Sequence, residues 1–125
     1  PLWQGFILSR SELSEVCSEY WGKIKGNHFY RYELAGDTVP ENWLEWAIKN
    51  GCDRDNNPHQ WQEYQDAAKG NFRAARVVDN RLESVIIISS GSSIPERNWL
   101  TSLFVKTALD KSEHKVFITR SSAIY

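Results

Sequence analysis

The sequence predicts an α+β or α/β domain in which helices pack on a mixed β-sheet. Short apolar or alternating segments, typical of strands, recur along the chain. Between them, Ser9, Thr38 and Ser93 each precede a Glu by three positions, which is the capping-box signal of a helix start. The apolar run at residues 85–88 does not alternate, as expected of a central strand covered on both faces. Helices and strands are therefore expected to share one core.

For residues 3–34 the sequence pattern predicts a strand, a helix and a second strand. Residues 3–8 form an apolar run that suits a buried strand. Ser9 and Glu12 form a capping box, and Gly22 and Gly26 are expected to end the helix that it opens. Residues 28–34 alternate and are rich in aromatic side chains, which indicates a strand. The apolar side chains of the helix fall on one predicted face: Leu13, Val16, Cys17, Tyr20 and Trp21.

A second helix is predicted after a turn at Gly36 and Asp37. Thr38 and Glu41 form its capping box, and Pro40 lies in its first turn, where a missing N–H costs nothing. Asn50-Gly51 predicts the C-terminal end of this helix. Residues 52–59, which follow, are polar and predict a surface loop. The apolar face of this helix consists of Trp43, Leu44, Ala47 and Ile48.

Three strands are predicted next. Residues 61–66 indicate a strand or a short extended piece. Residues 70–78 and 82–89 form two strands joined at Asp79 and Asn80, which tolerate the left-handed backbone of a tight hairpin turn. We expect residues 85–88 to be nearly inaccessible between helices that carry Trp43 and Trp99.

Two further helices are predicted at the C-terminal end. One is opened by Ser93 and Glu96 with Pro95 in its first turn. A short last helix, opened by Asp110 and Glu113, carries Val116 and Phe117. The apolar stripe of the longer helix consists of Trp99, Leu100, Leu103 and Phe104.

Length and composition indicate a single domain spanning residues 1–125. The hydrophobic content is 41% and the net charge is −1, so we expect no general attraction for nucleic acid or an anionic membrane. The sequence has no apolar run near the roughly 20 residues of a membrane helix, and a cytoplasmic protein is expected. Because the chain has no Met and begins with Pro1, we expect it to be processed or excised from a larger protein.

The loop at residues 52–59 gathers the side chains that most resemble a metal site. Its acidic and amide positions match the start of a calcium loop, but the required Gly is replaced by Pro58 and the required Glu by Tyr64. A zinc site would still lack two ligands after Cys52 and His59. The sequence therefore predicts a solvated loop. The calcium-like positions are Asp53, Asp55 and Asn57.

No catalytic, cofactor-binding or metal-binding residue is predicted in this chain. Cys17 lies on the apolar stripe of the first helix, where it is expected to act as a small buried hydrophobe. Cys52 follows Gly51 in a loop and could be exposed, but no feature pairs it with a base. The sequence also lacks a nucleophile elbow, an HExxH motif and a phosphate-binding loop.

The six tryptophans are the most unusual feature of the composition. Trp3 opens an apolar strand, and Trp21, Trp43 and Trp99 fall on helix stripes, so all four are expected in the core. Trp46 and Trp61 are left as candidates for a binding surface. The arginines of the hairpin and the following helix are interspersed with acidic residues, which predicts a solvated surface of mixed charge. These arginines are Arg73, Arg76, Arg81 and Arg97.

The segment EYQDAAKGNFRAARVVDNRLESVIIIS, followed by IPERNWLTSLFV, resembles the region behind the molybdopterin-binding part of bacterial assimilatory nitrate reductases. In that family an E-Y-x-D-x-x-(R/K)-G run leads into a hairpin, an apolar strand and a P-x-R-x-W-L-x-x-L-F helix. The segments WQGFILSR, FYRYELAG and ENWLEWA are similar to the preceding family sequence, so the resemblance covers residues 3–109. The matching residues are Glu63, Tyr64, Asp66, Lys69, Gly70, Arg81, Leu82, Glu83, Pro95, Arg97, Trp99, Leu100, Leu103 and Phe104.

The resemblance implies a non-catalytic accessory domain of an enzyme that reduces nitrate to nitrite. Such a domain would pack on the molybdenum-containing domains of the parent chain or dock an electron-donor protein. It implies a molybdopterin guanine dinucleotide and an iron–sulfur cluster in the parent. The two cysteines of this chain, Cys17 and Cys52, cannot hold such a cluster alone. No catalytic residue of the family maps onto this chain.

Two other interpretations remain open from the sequence. The hairpin and its apolar third strand also resemble the C-terminal interface domain of FAD-dependent pyridine nucleotide reductases, such as the NAD(P)H nitrite reductases. A domain of that kind would contribute to dimerisation or to the wall of an active site. The remaining alternative is a free-standing module that binds small ligands or peptides.

Overall fold

The computed structural model describes residues 1–26, 28–52, 57–66 and 70–91. The described strands form one six-stranded sheet in the order β2-β3-β1-β6-β5-β4. A single α-helix, α1 (Trp43–Asn50), and a 3₁₀ turn (Pro58–Gln60) lie between β3 and β4. The strands are β1 (Trp3–Ser9), β2 (Tyr20–Lys25), β3 (Tyr30–Gly36), β4 (Trp61–Asp66), β5 (Asn71–Val78) and β6 (Arg81–Ser89).

The architecture is α+β in a strand-dominated form, and the predicted mixed sheet is wrong for the described residues. Every pairing between neighbouring described strands is antiparallel. Parallel neighbours need a crossover, usually a helix. Here α1 joins β3 to β4, which lie apart in the sheet, so it creates no parallel pair. The α/β alternative is therefore also wrong for this part of the chain.

The hairpin between β5 and β6 is confirmed. Asp79 and Asn80 both have positive φ, 52° and 62°. This backbone matches the right-handed twist of the two flanking strands, and Asn and Asp tolerate it better than most residues. The register pairs Val78 with Arg81 across the turn, with an irregularity between Arg76 and Val77.

The predicted central strand is confirmed as β6, which pairs with β1 on one side and β5 on the other. The four side chains at residues 85–88 have no solvent exposure. Ile86 and Ile88 belong to the apolar cluster under α1, on what we call the helix face of the sheet. Val85 and Ile87 belong to a second cluster on the opposite face, with Phe6 and Leu8. Both faces of β6 are thus buried, which explains why its sequence does not alternate.

Helix α1 is confirmed, but its start differs from the prediction. The N-cap is Asn42, whose Oδ1 accepts the backbone N–H of Glu45 at 3.1 Å. Thr38 and Glu41 therefore do not form the predicted capping box. Asn42, four residues after Thr38, is the N-cap, and its side chain binds a backbone N–H of the first helical turn. The end at Asn50 agrees with the prediction, and the Gly51 N–H donates to the Ala47 carbonyl at 2.6 Å.

The first predicted helix is wrong. Residues 10–19 form an irregular segment that leads into β2. Two of its backbone donors are satisfied from outside the segment: the Leu13 N–H donates to the Tyr32 hydroxyl at 2.8 Å, and the Cys17 N–H to Asn50 Oδ1 at 2.8 Å. Leu13 and Val16 are still buried on the helix face. Two of the five stripe residues are therefore core residues, although their helical spacing is incidental.

The remaining strands agree with the predictions to within a few residues. β1 and β4 occupy the predicted segments, and β3 is displaced toward the C-terminus relative to residues 28–34. The two helices predicted after Ser90, with Pro95, Trp99 and the last short helix, lie outside the described residues. Among the helices of the described ranges, none has the length and apolar character needed to cross a membrane.

Candidate functional site

An open groove lies between the irregular segment and α1. We call it the tryptophan groove, and it has a volume of about 540 Å³. Strand β1 supplies Trp3, α1 supplies Trp46, and the connection between β3 and α1 supplies Thr38 and Pro40. The lining is mostly apolar, and it consists of Trp3, Cys17, Ser18, Glu19, Thr38, Pro40 and Trp46.

Two indole rings, those of Trp3 and Trp46, line the floor of the groove, and the ring of Trp43 packs against both of them. Trp3, Trp43 and Trp46 meet edge to face, with ring centroids 5.2 to 5.8 Å apart and interplanar angles of 74° to 89°. Trp43 also stacks on Phe72 of β5, with centroids 6.0 Å apart. Edge-to-face pairs at such distances contribute about 0.5–1.5 kcal/mol each beyond the burial of area. The floor is therefore rigid and continuous with the core of the helix face.

The polar atoms of the groove tryptophans are already satisfied by the protein. Trp3 Nε1 donates to the Thr38 carbonyl at 2.8 Å, and Trp46 Nε1 donates to the Cys17 carbonyl at 3.3 Å. The Ser18 hydroxyl is bound to the carbonyls of Ala35 and Tyr20. The groove therefore offers a ligand aromatic surface, that of the half-buried Trp46, rather than indole hydrogen-bond donors.

Glu19 is the carboxylate on the rim of the groove. A hydrogen bond from its own backbone N–H, helped by one from the Thr38 side chain, holds the pKa of Glu19 below its usual range. A carboxylate with a lowered pKa is a poor proton acceptor near neutral pH, because effective general bases have a pKa near the working pH. Glu19 therefore presents a constant negative charge that suits recognition of a basic group.

The structure describes five of the six tryptophans, and two of these five differ from the sequence prediction; Trp99 lies outside the described residues. Trp61, a candidate for a binding surface, is buried on the helix face because Trp61 pairs with Arg76 and joins the cluster under α1. Trp21, expected in the core, has 51% of its surface exposed because the segment is an edge strand rather than a helix. Trp3 and Trp43 are buried as predicted. Trp46 is half-buried and lines the groove, so its prediction as a surface residue agrees with its position.

The loop at residues 52–59 is described only at Cys52 and from Asn57 onward. Asn57 Oδ1 accepts the backbone N–H of His59 at 3.0 Å and so caps the 3₁₀ turn. His59 is exposed, whereas Cys52 is buried. In the ranges that the structure describes, no group of three His, Cys, Asp or Glu side chains could hold a metal ion. The predicted positions Asp53 and Asp55 lie outside those ranges.

Both cysteines are free thiols, and the prediction that Cys17 is buried is wrong. Cys17 is exposed on the irregular segment, where its backbone is held by Asn50. Cys52 is 8% exposed, and its Sγ donates to the Ile48 carbonyl at 3.3 Å just beyond the end of α1. An iron–sulfur cluster of the kind implied for the parent needs four thiolates, so these two residues do not fit one.

The arginines of the hairpin do not all lie on a solvated surface. Arg73 has no solvent exposure. The register pairs Arg73 with Ile87 on the face opposite α1, and β5 has neighbouring strands on both sides. Arg76 is half-buried and donates to Gln60 Oε1 at 2.9 Å, whereas Arg81 is exposed as predicted. Arg97 lies outside the described residues.

Residues of the family-like motif have structural positions in the described part of the chain. Gly70 has φ +67°, and a Cβ there would overlap the Ser90 side chain. The Gly70 carbonyl accepts the Ser90 N–H at 3.1 Å, which joins the start of β5 to the end of β6. Arg81 begins β6 and Leu82 is buried on the face opposite α1. These motif residues therefore specify the hairpin rather than a reaction site.

Comparison with known proteins adds no relative. No protein-family model matches the chain, and neither the curated proteins nor the solved structures include a match to it.

Proposed function

We propose that this chain is a non-catalytic accessory domain of a cytoplasmic assimilatory nitrate reductase, and that it docks other protein surfaces through the tryptophan groove. The structural support for the proposed docking role is the tryptophan groove. It combines a rigid aromatic floor with one ionised carboxylate on its rim. The identity of the parent enzyme rests on the resemblance of residues 63–104.

The chemistry of the groove favours a protein partner. Interface hot spots are enriched in Trp, because a large rigid ring loses little entropy when it is buried. Trp46 is half-buried and presents its ring to the groove, while its Nε1 remains bound to the Cys17 carbonyl. A partner would insert an apolar or aromatic side chain against Trp46 and place a Lys or Arg beside Glu19. The partner would be the molybdenum-containing domains of the parent or an electron-donor protein.

The molybdopterin guanine dinucleotide and the iron–sulfur cluster would belong to other domains of the parent chain. The described residues offer no set of thiolates for a cluster, since Cys17 is exposed and Cys52 is buried next to α1. We therefore assign no step of nitrate reduction to this chain. Its contribution would be the positioning of partners around the reaction centre.

Titration calorimetry tests the docking role directly. The 125-residue chain is titrated into a recombinant assimilatory nitrate reductase that lacks its C-terminal region. We expect saturable binding, and we expect Trp46→Ala to weaken it at least about tenfold, as for an aromatic hot spot. Val39→Ala is the matched control, because Val39 is exposed beside the groove and does not line it. Absence of binding, or binding that Trp46→Ala leaves unchanged, would contradict docking through the groove.

The codons upstream of Pro1 separate this proposal from its alternatives. A molybdopterin-binding domain there supports a nitrate reductase. Two dinucleotide-binding glycine fingerprints would instead support an interface domain of a FAD-dependent NAD(P)H reductase. The exposed edge strand β2 favours that second candidate, because dimerisation domains need a free surface. A stop codon directly upstream would favour a free-standing binding module.

A further inference from the structure

Strand β2 presents an open edge of the sheet with exposed apolar side chains. All of its residues are exposed, and among the described strands it has a neighbour, β3, on one side only. Tyr20, Trp21 and Ile24 expose 56%, 51% and 47% of their surfaces. An edge of this kind is a template for pairing with a further strand unless the protein prevents it.

The pairing of β2 with β3 shows which backbone groups of β2 face outward. The Gly26 N–H donates to the Phe29 carbonyl at 2.8 Å, so these two residues form a hydrogen-bonded pair. Because such pairs alternate along an antiparallel ladder, Lys25, Lys23 and Trp21 direct their N–H and C=O groups away from β3. These groups are available to a strand that approaches from outside.

We propose that β2 is the contact through which two copies of this chain associate, by antiparallel pairing of β2 with its equivalent about a twofold axis at Gly22. In this register Trp21 exchanges backbone hydrogen bonds with Lys23 of the second copy. The inference does not depend on the proposed function.

Side-chain complementarity selects this register. It places Tyr20 opposite Ile24 of the second copy, an aromatic–aliphatic pair that stabilises antiparallel strands. It places Glu19 opposite Lys25, which are of opposite charge. It places Trp21 opposite Lys23, whose ammonium group is already bound to Glu12, so the methylene stem lies against the indole ring.

The neighbouring registers lose these contacts. An axis at Lys23 places the two Lys23 side chains opposite each other, and like charges in that position are destabilising. An axis at Trp21 pairs Glu19 with Lys23 and the two Trp21 rings with each other, but it separates Tyr20 from Ile24. Lysines on an edge strand discourage indiscriminate pairing. Of the three registers, the one with its axis at Gly22 keeps the Tyr20–Ile24 pair and avoids opposed lysines.

The expected dimer is weak. The three apolar side chains each expose on the order of 100 Å², so two copies together bury roughly 600 Å² of side-chain surface. Stable interfaces bury about 1,200 Å² or more. Backbone hydrogen bonds along β2 add to the side-chain contacts, and we expect a dissociation constant on the order of 100 µM.

Sedimentation equilibrium of the full chain from about 10 µM to 1 mM tests the association, since that range spans the expected dissociation constant. We expect monomers at the low end and mostly dimers at the high end. Lys23→Pro removes an outward N–H that β3 does not use, and proline is tolerated at such edge positions. We expect this variant to stay monomeric while its circular dichroism matches that of the parent. A monomer at 1 mM, or dimerisation unaffected by Lys23→Pro, would overturn the proposal.

Cross-linking tests the register. In a Cys17→Ser background, Gly22→Cys places two thiols across the axis, where non-hydrogen-bonded Cα atoms lie about 4.5 Å apart and suit a disulfide. A Cβ at Gly22 meets no atom within 4 Å, so the variant should fold. Ile24→Cys is the matched control, because its two copies would lie too far apart. We expect Gly22→Cys to form disulfide dimers in air at least about fivefold faster than Ile24→Cys. Equal rates would overturn the Gly22 register.

Discussion

Asn50, the last residue of α1, accepts a hydrogen bond from the backbone N–H of Cys17 at 2.8 Å. The same amide donates from Nδ2 to the Trp46 carbonyl at 2.9 Å, and the side chain is 2% exposed. One buried side chain therefore joins the irregular segment at residues 10–19 to the end of the helix. This contact also holds in place the Cys17 carbonyl that Trp46 Nε1 uses at the rim of the groove.

We expect Asn50→Ala to destabilise the protein by about 1–3 kcal/mol, because it leaves the Cys17 N–H without its acceptor. Urea unfolding measures the loss, and hydrogen exchange at the Cys17 amide reports the local opening. Asn50→Asp is the control, since it keeps the acceptor for Cys17 and loses only the donor to Trp46. Protection of the Cys17 amide that survives Asn50→Ala would contradict this role.

Gly5 lies where β1 passes β6, and the structure leaves no room for a side chain there. A Cβ at Gly5 would overlap the backbone carbonyl oxygen of Ile87, which cannot move without breaking the ladder. We expect Gly5→Ala to cost roughly 1–3 kcal/mol through overpacking. Gly22→Ala on the open edge strand is the matched control, because a Cβ there meets nothing within 4 Å. Thermal unfolding at low micromolar concentration compares the two variants, and equal melting temperatures would refute the steric argument.

Ile87 lies in the central strand with no solvent exposure. Replacing Ile87 with Ala removes buried apolar surface and leaves a cavity, so we expect a loss of roughly 2–5 kcal/mol. Ile24→Ala deletes the same atoms at a site that is 47% exposed, and we expect a change within about 0.5 kcal/mol. Denaturant titration of both variants checks the contrast. A loss below about 1 kcal/mol for Ile87→Ala would contradict the burial of β6 on both faces.

The ionisation of Tyr32 makes the free energy of unfolding depend on pH in the alkaline range. Burial raises the pKa of the Tyr32 hydroxyl, and this outweighs the lowering by its hydrogen bond with the Leu13 backbone. Because the pKa is higher in the folded protein, stability is fully present below the unfolded tyrosine pKa of about 10 and falls as pH rises toward the folded value. The hydrogen bond that the Lys23 ammonium group donates to Glu12 raises the Lys23 pKa, which acts in the same direction.

The free energy of unfolding should therefore decrease between about pH 9.5 and 11, across the unfolded pKa values of Tyr and Lys. Tyr32→Phe removes one titrating group and should make this decrease shallower, although the variant is less stable at pH 8 because Leu13 loses its acceptor. Guanidinium titrations at several pH values measure both effects. An equally steep decrease in Tyr32→Phe would exclude Tyr32 as a cause.

We expect the isolated chain to show no nitrate reductase activity with a reduced viologen dye and to contain no stoichiometric metal. Metal ligation needs three or four convergent side chains, and Cys52 is oriented toward the Ile48 carbonyl at the end of α1. Elemental analysis checks the metal content. About one equivalent of zinc or iron per chain, lost on Cys52→Ala or His59→Ala, would contradict the expectation.

The sequence alone determined the elements whose signals are local. The turn at Asp79 and Asn80 follows from residue types that tolerate positive φ, and the burial of β6 follows from an uninterrupted apolar run. The end of α1 follows from Asn50-Gly51. Trp46 lies outside the apolar stripe of its helix, which predicts a surface position for its side chain.

The backbone conformation and burial of residues 10–25 depend on tertiary contacts and could not be predicted from their own sequence. Their apolar spacing suits a helix, but Tyr32 and Asn50 supply hydrogen bonds to the backbone from distant parts of the chain. Pairing with β3 then converts Tyr20 and Trp21 from expected core residues into exposed edge residues. Arg73 is also buried, although local sequence assigns it to the surface; it pairs with Ile87 on the face of the sheet that carries the second apolar cluster. Local patterns record preference at each position, whereas the hydrogen bonds to the Leu13 and Cys17 backbone come from residues 19 and 33 positions away, which approach only in the folded chain.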